Sequence, residues 1–483
     1  MFQSILKTIY SKTVKGPQLP LALFCVFIFV FSFSASANIA DLYGFGSRNS
    51  ALAGAGASWG FDGFAAELNP AGLTVAKEKR ILISVAGLYA HPSFKPINGV
   101  VVNNSYVSDK GTETGNVSVD DYRDTVGSTL GVTVRLLPHI WNLSAGLTAY
   151  LPLKQIAYVD TGQAFIPEYV LHRARTQRPQ VSTAIAVEPL EGFSIGAGMK
   201  VAYTLTSKAD VFVQTTANKP TTMKFAANLK PKLIPQLGLL YVSKKNNRSE
   251  GDNSFVKHSP GAFTLGFVFR AAGSSDGDIT LNSNAAVLNL SAIPLQFQAL
   301  SSLYYDPMTF QLGGTLQYTE RTRIYLELDY ELWNKFEGPG LGVKPMGGTS
   351  LSAGAVPDYY SRNTFIPRIA HEWLIGSRSS VRLGYSYRPG IFKGAPNGAG
   401  NYLDPTQDIF TVGYGHRFEK LLDFNTPWDL NFHFAFHSMR SETIVKTSGN
   451  ELGQGSGAMK IGAPGYDADG KIFVGGLSAS IAF

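Results

Sequence analysis

The sequence predicts an all-β fold: a transmembrane antiparallel β-barrel of about fourteen strands with an N-terminal hatch, or plug, inside its lumen. Three observations predict it. Of 483 residues only 16% are charged, 12% are aromatic and 50 are glycine, a mix that suits many strands joined by turns. Short runs along nearly the whole chain alternate apolar with small or polar residues, as strands do when one face meets lipid and the other a polar lumen. No segment beyond the N-terminus has the length and apolarity of a spanning helix, so a passage through a membrane has to be made by a closed barrel.

The chain opens on an export signal, predicted over residues 1–37. Lys7, Lys12 and Lys15 form its basic start, residues 21–33 its apolar core, and Ala35-Ser36-Ala37 a small-residue cleavage site. The apolar run of roughly 13 residues falls short of the ~20 that a spanning helix needs, which argues against a retained anchor. Cleavage would remove Cys25, the only cysteine, and with it disulfide and thiolate chemistry. It would also take three lysines from the formal charge of +7, leaving +4. That is too weak a bias to imply a nucleic-acid partner. No cofactor or metal is predicted.

Residues 38–80 are the expected hatch, and 81–483 the barrel. The stretch 38–73 is rich in glycine and alanine, nearly uncharged, and too irregular for a strand. Alternating runs then follow near 81–89, 130–136, 143–151, 181–187 and 193–203. Two longer, broken runs cover 222–242 and 261–282. The later runs, 308–318, 324–332, 366–376, 379–388, 408–418, 428–440 and 471–483, alternate more cleanly. In one of them Leu326, Leu328 and Tyr330 point one way while Glu327, Asp329 and Glu331 point the other. The total is even, as single-chain outer-membrane barrels require, and short turns alternate with long connections, as periplasmic turns alternate with external loops. Trp141, Tyr318, Trp373 and Trp428 fall near strand ends, where aromatic girdles form. A barrel this wide is not filled by its own side chains, so its lumen needs water or a plug.

Gly44-Phe45-Gly46-Ser47-Arg48, Gly54-Ala55-Gly56 and Asn69-Pro70-Ala71-Gly72-Leu73 resemble, in order, the hatch of FadL/TodX-type outer-membrane transporters of hydrophobic compounds. Asp306-Pro307, Gly313-Gly314, Leu328-Asp329-Tyr330, Trp333-Asn334-Lys335-Phe336 and the segment 382–387 resemble later blocks of the same family. The resemblance implies passive capture of a hydrophobic ligand, long-chain fatty acids first among them, by external loops. It implies lumenal binding, a hatch shift at Asn69, Pro70 and Ala71, and sideways exit through a kink in the third strand. Carried onto this chain, that exit falls at Ser144, Ala145 and Gly146. It further implies a monomer in the bacterial outer membrane, among its lipids and lipopolysaccharide, inserted by the barrel assembly machinery.

Each motif also has a plainer reading. Asn69-Pro70 is on turn chemistry alone a turn into the first strand. Glu327, Asp329 and Glu331 share a face at a spacing of about 7 Å, and Arg368, Glu372, Arg382 and Arg388 turn to the same lumen. Opposite charges there make a wall network; alternatively Arg368 or Arg382 pairs with a substrate carboxylate. Phe165, Ile166, Tyr169, Val170 and Leu171 in the loop 153–178 form either a greasy capture site or a packed loop turn. His433 and His437 with Asp429 suggest a lipid hydrolase, but no serine motif accompanies them. A general diffusion porin is the remaining alternative.

Overall fold

The computed structural model describes residues 42–59, 62–75, 81–94, 97–102, 113–117, 122–154, 169–172, 178–214, 222–243, 259–286, 293–336, 341–346, 361–393, 402–420, 426–445 and 465–483. The expected signal, 1–37, lies outside them, as do Phe165 and Ile166.

The strands of the first half are β1 (Ile81–Phe94), β2 (Ile97–Val102), β3 (Glu113–Val117), β4 (Thr125–Leu137), β5 (Leu143–Pro152), β6 (Gln180–Leu190), β7 (Phe193–Gln214) and β8 (Thr222–Val242). Next come β9 (Phe263–Arg270), β10 (Gly273–Ala286), β11 (Ile293–Asp306), β12 (Met308–Thr319), β13 (Thr322–Leu332) and β14 (Leu341–Met346). The last are β15 (Thr364–Ile375), β16 (Ser379–Arg388), β17 (Gln407–Phe418), β18 (Trp428–Met439), β19 (Glu442–Val445), β20 (Gly465–Ala468) and β21 (Gly470–Ala482).

Fourteen of them form the wall, in the order β1, β4–β9, β12, β13, β15–β18 and β21, every neighbour antiparallel. The wall closes where β21 pairs with β1, from Leu82↔Ala482 to Phe94↔Gly470. Ile81 and Phe483 exchange both backbone hydrogen bonds at that closure, at 3.3 and 2.8 Å. Closure pairs the first wall strand with the last, so the sheet has no free outer strand in lipid. Leu237, Leu265, Leu312, Leu326 and Phe432 point outward and stay exposed, while Gln236, Thr264, Gln311, Glu327 and His433 point inward and are buried.

The fourteen expected runs match the fourteen wall strands, with one correction. The run 261–282 is not one wall strand: β9 ends at Arg270, and β10 pairs with β11 and, in parallel, with β7. Its alternation breaks after Arg270, and its neighbours change there too. The hairpins β2–β3, β10–β11 and β19–β20, and the strand β14, all belong to the long connections. The expected girdle residues Trp141, Tyr318, Trp373 and Trp428 all fall at the short-turn end.

Residues 42–75 lie inside the wall. Helix α1 (Ser47–Ala51) packs on β16–β18 and β21, and helix α2 (Ala65–Leu68) on β4–β6. A 3-10 helix, Pro70–Thr74, packs on β4–β8. Leu52, Phe64 and Leu73 are almost wholly buried, each worth roughly 1.5–3 kcal/mol relative to exposure. The wall meets this segment with glycines. A Cβ on Gly131, Gly146, Gly196, Gly238, Gly266 or Gly413 would overlap residues of 51–73.

Candidate functional site

Asn69, Pro70 and Ala71 sit at the turn between α2 and the 3-10 helix, and all three are buried. The Asn69 carboxamide accepts from Ala71 N at 3.0 Å and donates to Ala57 O at 2.6 Å and to Leu239 O of β8 at 3.3 Å. Pro70 starts the 3-10 helix, where its missing N–H costs nothing. The turn chemistry read from the sequence is present, and one of its bonds reaches the wall.

Two polar clusters hold the rest of the segment. In the first, Arg48 Nη2 lies 3.1 Å from Glu372 Oε2, with its guanidinium over the Trp59 ring at 3.1 Å from the centroid. Arg382 donates to Glu372 Oε1 at 2.7 Å, to Asn431 at 2.8 Å and to Ser380 at 2.9 Å. Arg368 donates to Asp329 at 2.6 Å and 3.1 Å and to Ala53 O at 2.8 Å, while Glu327 accepts from Ala57 N at 2.7 Å. Arg368 with Asp329 and Glu327, and Arg382 with Glu372, thus make two groups, each tied to the segment, one through Ala53 and Ala57 and the other through Arg48. Buried charges persist only when paired in this way, and breaking such a pair costs about 3–5 kcal/mol.

The second cluster surrounds α2. Glu67, wholly buried, accepts from Ser182 and pairs with Lys200 Nζ at 3.3 Å. Gln236 donates to Ala66 O at 2.6 Å, and Arg270 Nη2 to Glu67 O at 2.7 Å and Leu68 O at 2.9 Å. Lys200, Gln236 and Arg270 all fall on the inner face of their strands. Their inward parity was readable; what they bind was not.

Beyond the segment, toward the long connections, lies an apolar and aromatic cluster that includes Tyr43, Phe94, Tyr150, Tyr169, Met439 and Ile472. Phe94 stacks on Tyr169 at 4.3 Å. His172 bridges Tyr43 and Gln407, at 3.4 and 3.3 Å. The turn Val170–His172 therefore packs inward: Tyr169 and His172 join this cluster, and Leu171 joins another around Trp333, Phe336 and Ile391. The packed-turn reading of that loop holds for these residues.

At Ser144, Ala145 and Gly146 the expected gap is not open. Their ladder is continuous to β4 and to β6, with Gly146 facing Thr133 on one side and Ala184 on the other. The glycine serves close approach instead: a Cβ there would lie 2.4 Å from Leu73 Cδ2. Arg368 and Arg382, the alternative partners of a substrate carboxylate, each face a carboxylate of the wall. His437 bonds to Gln407 at 3.2 Å, and His433 and Asp429 share its strand. Among the described residues no serine is hydrogen-bonded to either histidine.

Fold and site together define a class, a closed transmembrane β-barrel whose inner wall packs against part of its own N-terminal segment. No family model matches the chain. A FadL homologue from Pseudomonas aeruginosa superposes with a TM-score of 0.59 at 14% identity, covering 91% of this chain and 98% of that one. The toluene transporter TodX of P. putida superposes at 0.50 and 15% identity, covering 92% and 99%. The FadL/TodX resemblance seen in the motifs therefore holds for the fold. Alkane uptake protein A of Marinobacter nauticus is 25% identical over 266 residues, or 54% of this chain. The match spans 56% of that relative's length.

Proposed function

We propose that this chain is a passive outer-membrane transporter of hydrophobic molecules, that residues 42–75 gate its lumen, and that its ligands are neutral hydrocarbons ahead of fatty acids. The observation that carries the proposal is the pairing of the inner wall. Lys200, Arg368, Arg382 and Arg388 each already face a carboxylate, Arg388 at 2.9 Å from Asp404. A fatty-acid head group docking on any of these four would have to displace its partner, whereas an alkane or arene needs only the apolar and aromatic surface above the plug. The similarity to alkane uptake protein A points the same way.

The setting is the bacterial outer membrane, with lipids and lipopolysaccharide around a monomeric barrel inserted by the barrel assembly machinery. The long connections face outward and the short turns the periplasm. The polar outer leaflet resists apolar solutes; a lumenal pocket followed by sideways release spares the ligand the water below. No energy source is needed.

Cells expressing the chain are expected to take up labelled hexadecane faster than labelled palmitate, with excess palmitate a poor competitor. Palmitate preferred over hexadecane would overturn the neutral-ligand reading. Asn69→Ala with Pro70→Ala is expected to lower uptake severalfold in a barrel that still folds. A large, steady conductance from the intact barrel would overturn the plug and favour a diffusion pore.

A further inference from the structure

Strand β8 has two edges, and its hydrogen bonds show which residues serve each. Val242 N donates to Gly192 O on the β7 side at 2.8 Å, and Ser243 N to Phe263 O on the β9 side at 2.9 Å. Without a register shift along β8, odd-numbered residues therefore face β9. The β8–β9 ladder ends at Gln236↔Arg270. Its last bond runs from Ala271 N to Pro235 O at 3.0 Å, and Pro235 has no N–H to return. Outward of this point β8 continues along β7 to Thr222. The chain that was β9 leaves it, and as β10 pairs in parallel with β7 from Thr206 to Gln214. That stretch of β7 lies beyond Val201, where its pairing with β6 stops. The wall thus forks between β8 and β9, and among the described pairings the β9-side edge of β8 beyond Pro235 carries no strand.

This edge is adapted to lie unpaired. Pro231 has the same parity as Pro235, so both prolines place their missing donor on the open edge and leave Leu233 N–H between them. An unpaired donor is costly in hydrocarbon, and proline on an edge removes it. The fork lies at the depth where this matters. Pro235 is six residues outward of Tyr241, which sits at the short-turn end of β8; at the strand rise and tilt of a membrane barrel that is about 15 Å. The apolar band of such a barrel is about 25 Å tall. Leu233, farther out still, remains an exposed apolar side chain.

A narrow cleft runs behind the fork, lined by Ile234, Pro235, Arg270, Ala271, Pro307 and Thr309 among others, and encloses about 10 Å³, the space of a single water. Its inner rim is made by the three side chains that hold α2 of the plug: Lys200 on Glu67, Gln236 on Ala66 O, and Arg270 on Glu67 O and Leu68 O. All three therefore hold α2 from the inner rim of the cleft.

We infer that the fork between β8 and β9 is a side portal by which a neutral apolar ligand passes between the lumen and the hydrocarbon of the outer leaflet, with Arg270 tying its opening to the plug. This rests on the transport reading above and places the exit away from β5.

Pro235→Cys with Ala271→Cys tests it. Facing residues of a hydrogen-bonded antiparallel pair lie at about 5.5 Å between Cα atoms, within disulfide reach, and Cys25 is the only native cysteine. The oxidised pair is expected to cut hexadecane uptake at least tenfold, and reduction to restore it. Ala145→Cys with Ile185→Cys staples β5 to β6 instead and is expected to change nothing. Ala271→Trp fills the fork from one residue and is expected to lose uptake while the purified barrel still retains hexadecane. Uptake indifferent to the Pro235–Ala271 staple and to Ala271→Trp, or uptake that follows the β5–β6 staple, would overturn the portal. No uptake by the unsubstituted chain would overturn the transport reading, and the portal with it.

Discussion

Asp62 enters the plug just ahead of α2, and its carboxylate accepts from Phe64 N at 2.9 Å. It keeps part of its surface accessible, yet burial pushes its carboxyl up to about 6, against the pull of that bond and of Arg48. The free carboxyl titrates near 3.9, so the docked plug binds more protons between about 4 and 6 and loses stabilisation as pH rises through that window. Protection factors across 62–75, that is exchange rates divided by the intrinsic rate at the same pH, are expected to be higher at pH 5 than at pH 8, and Asp62→Asn to flatten the difference. A pH dependence unchanged in Asp62→Asn would refute this. Residues of this kind were only half legible in the sequence. Parity put Glu327, Asp329, Arg368 and Arg382 on the inner face, and opposite charges on adjacent strands made a network plausible. The partner that makes Arg368 part of the plug's seat is the carbonyl of Ala53, 315 positions away. Every residue has a carbonyl, so nothing in composition or spacing marks that one.

Among the elements, the wall strands were legible because their signal is local: a period of two, repeated for about ten residues. Pairing is not local. The run 261–282 is broken in the middle, but the departure of β10 to β7 is set by where neighbouring ladders stop. The inward glycines read in the sequence as small lumen residues; in the structure they receive the plug. A Cβ on Gly196 would lie 2.3 Å from Pro70 C and 2.4 Å from Ala71 N, while Gly87 of β1 has open space. Gly196→Val is therefore expected to lift the 3-10 helix from the wall and raise bilayer conductance severalfold, and Gly87→Val to leave it unchanged. Equal conductance of the two variants would show that the turn does not seal the lumen.

For the whole molecule, the β1–β21 ladder is what turns a sheet into a barrel. Phe483 and Ile81 exchange the terminal hydrogen bonds of the β1–β21 closure. Deleting Phe483 is expected to lower the yield of folded barrel in the membrane severalfold, with a near-normal unfolding temperature for the barrels that do close. Normal insertion would refute an assembly role for that closure contact. The sequence by itself determined the class of molecule: a wall apolar outside and polar inside, of fourteen strands, with an irregular small-residue segment ahead of it. It could do so because lipid imposes the same two-residue alternation on every strand. Only the tertiary structure decided which carbonyls the inner arginines grip, that β5 is shut, and that the wall forks at Pro235, because each of these depends on which distant strand lies alongside.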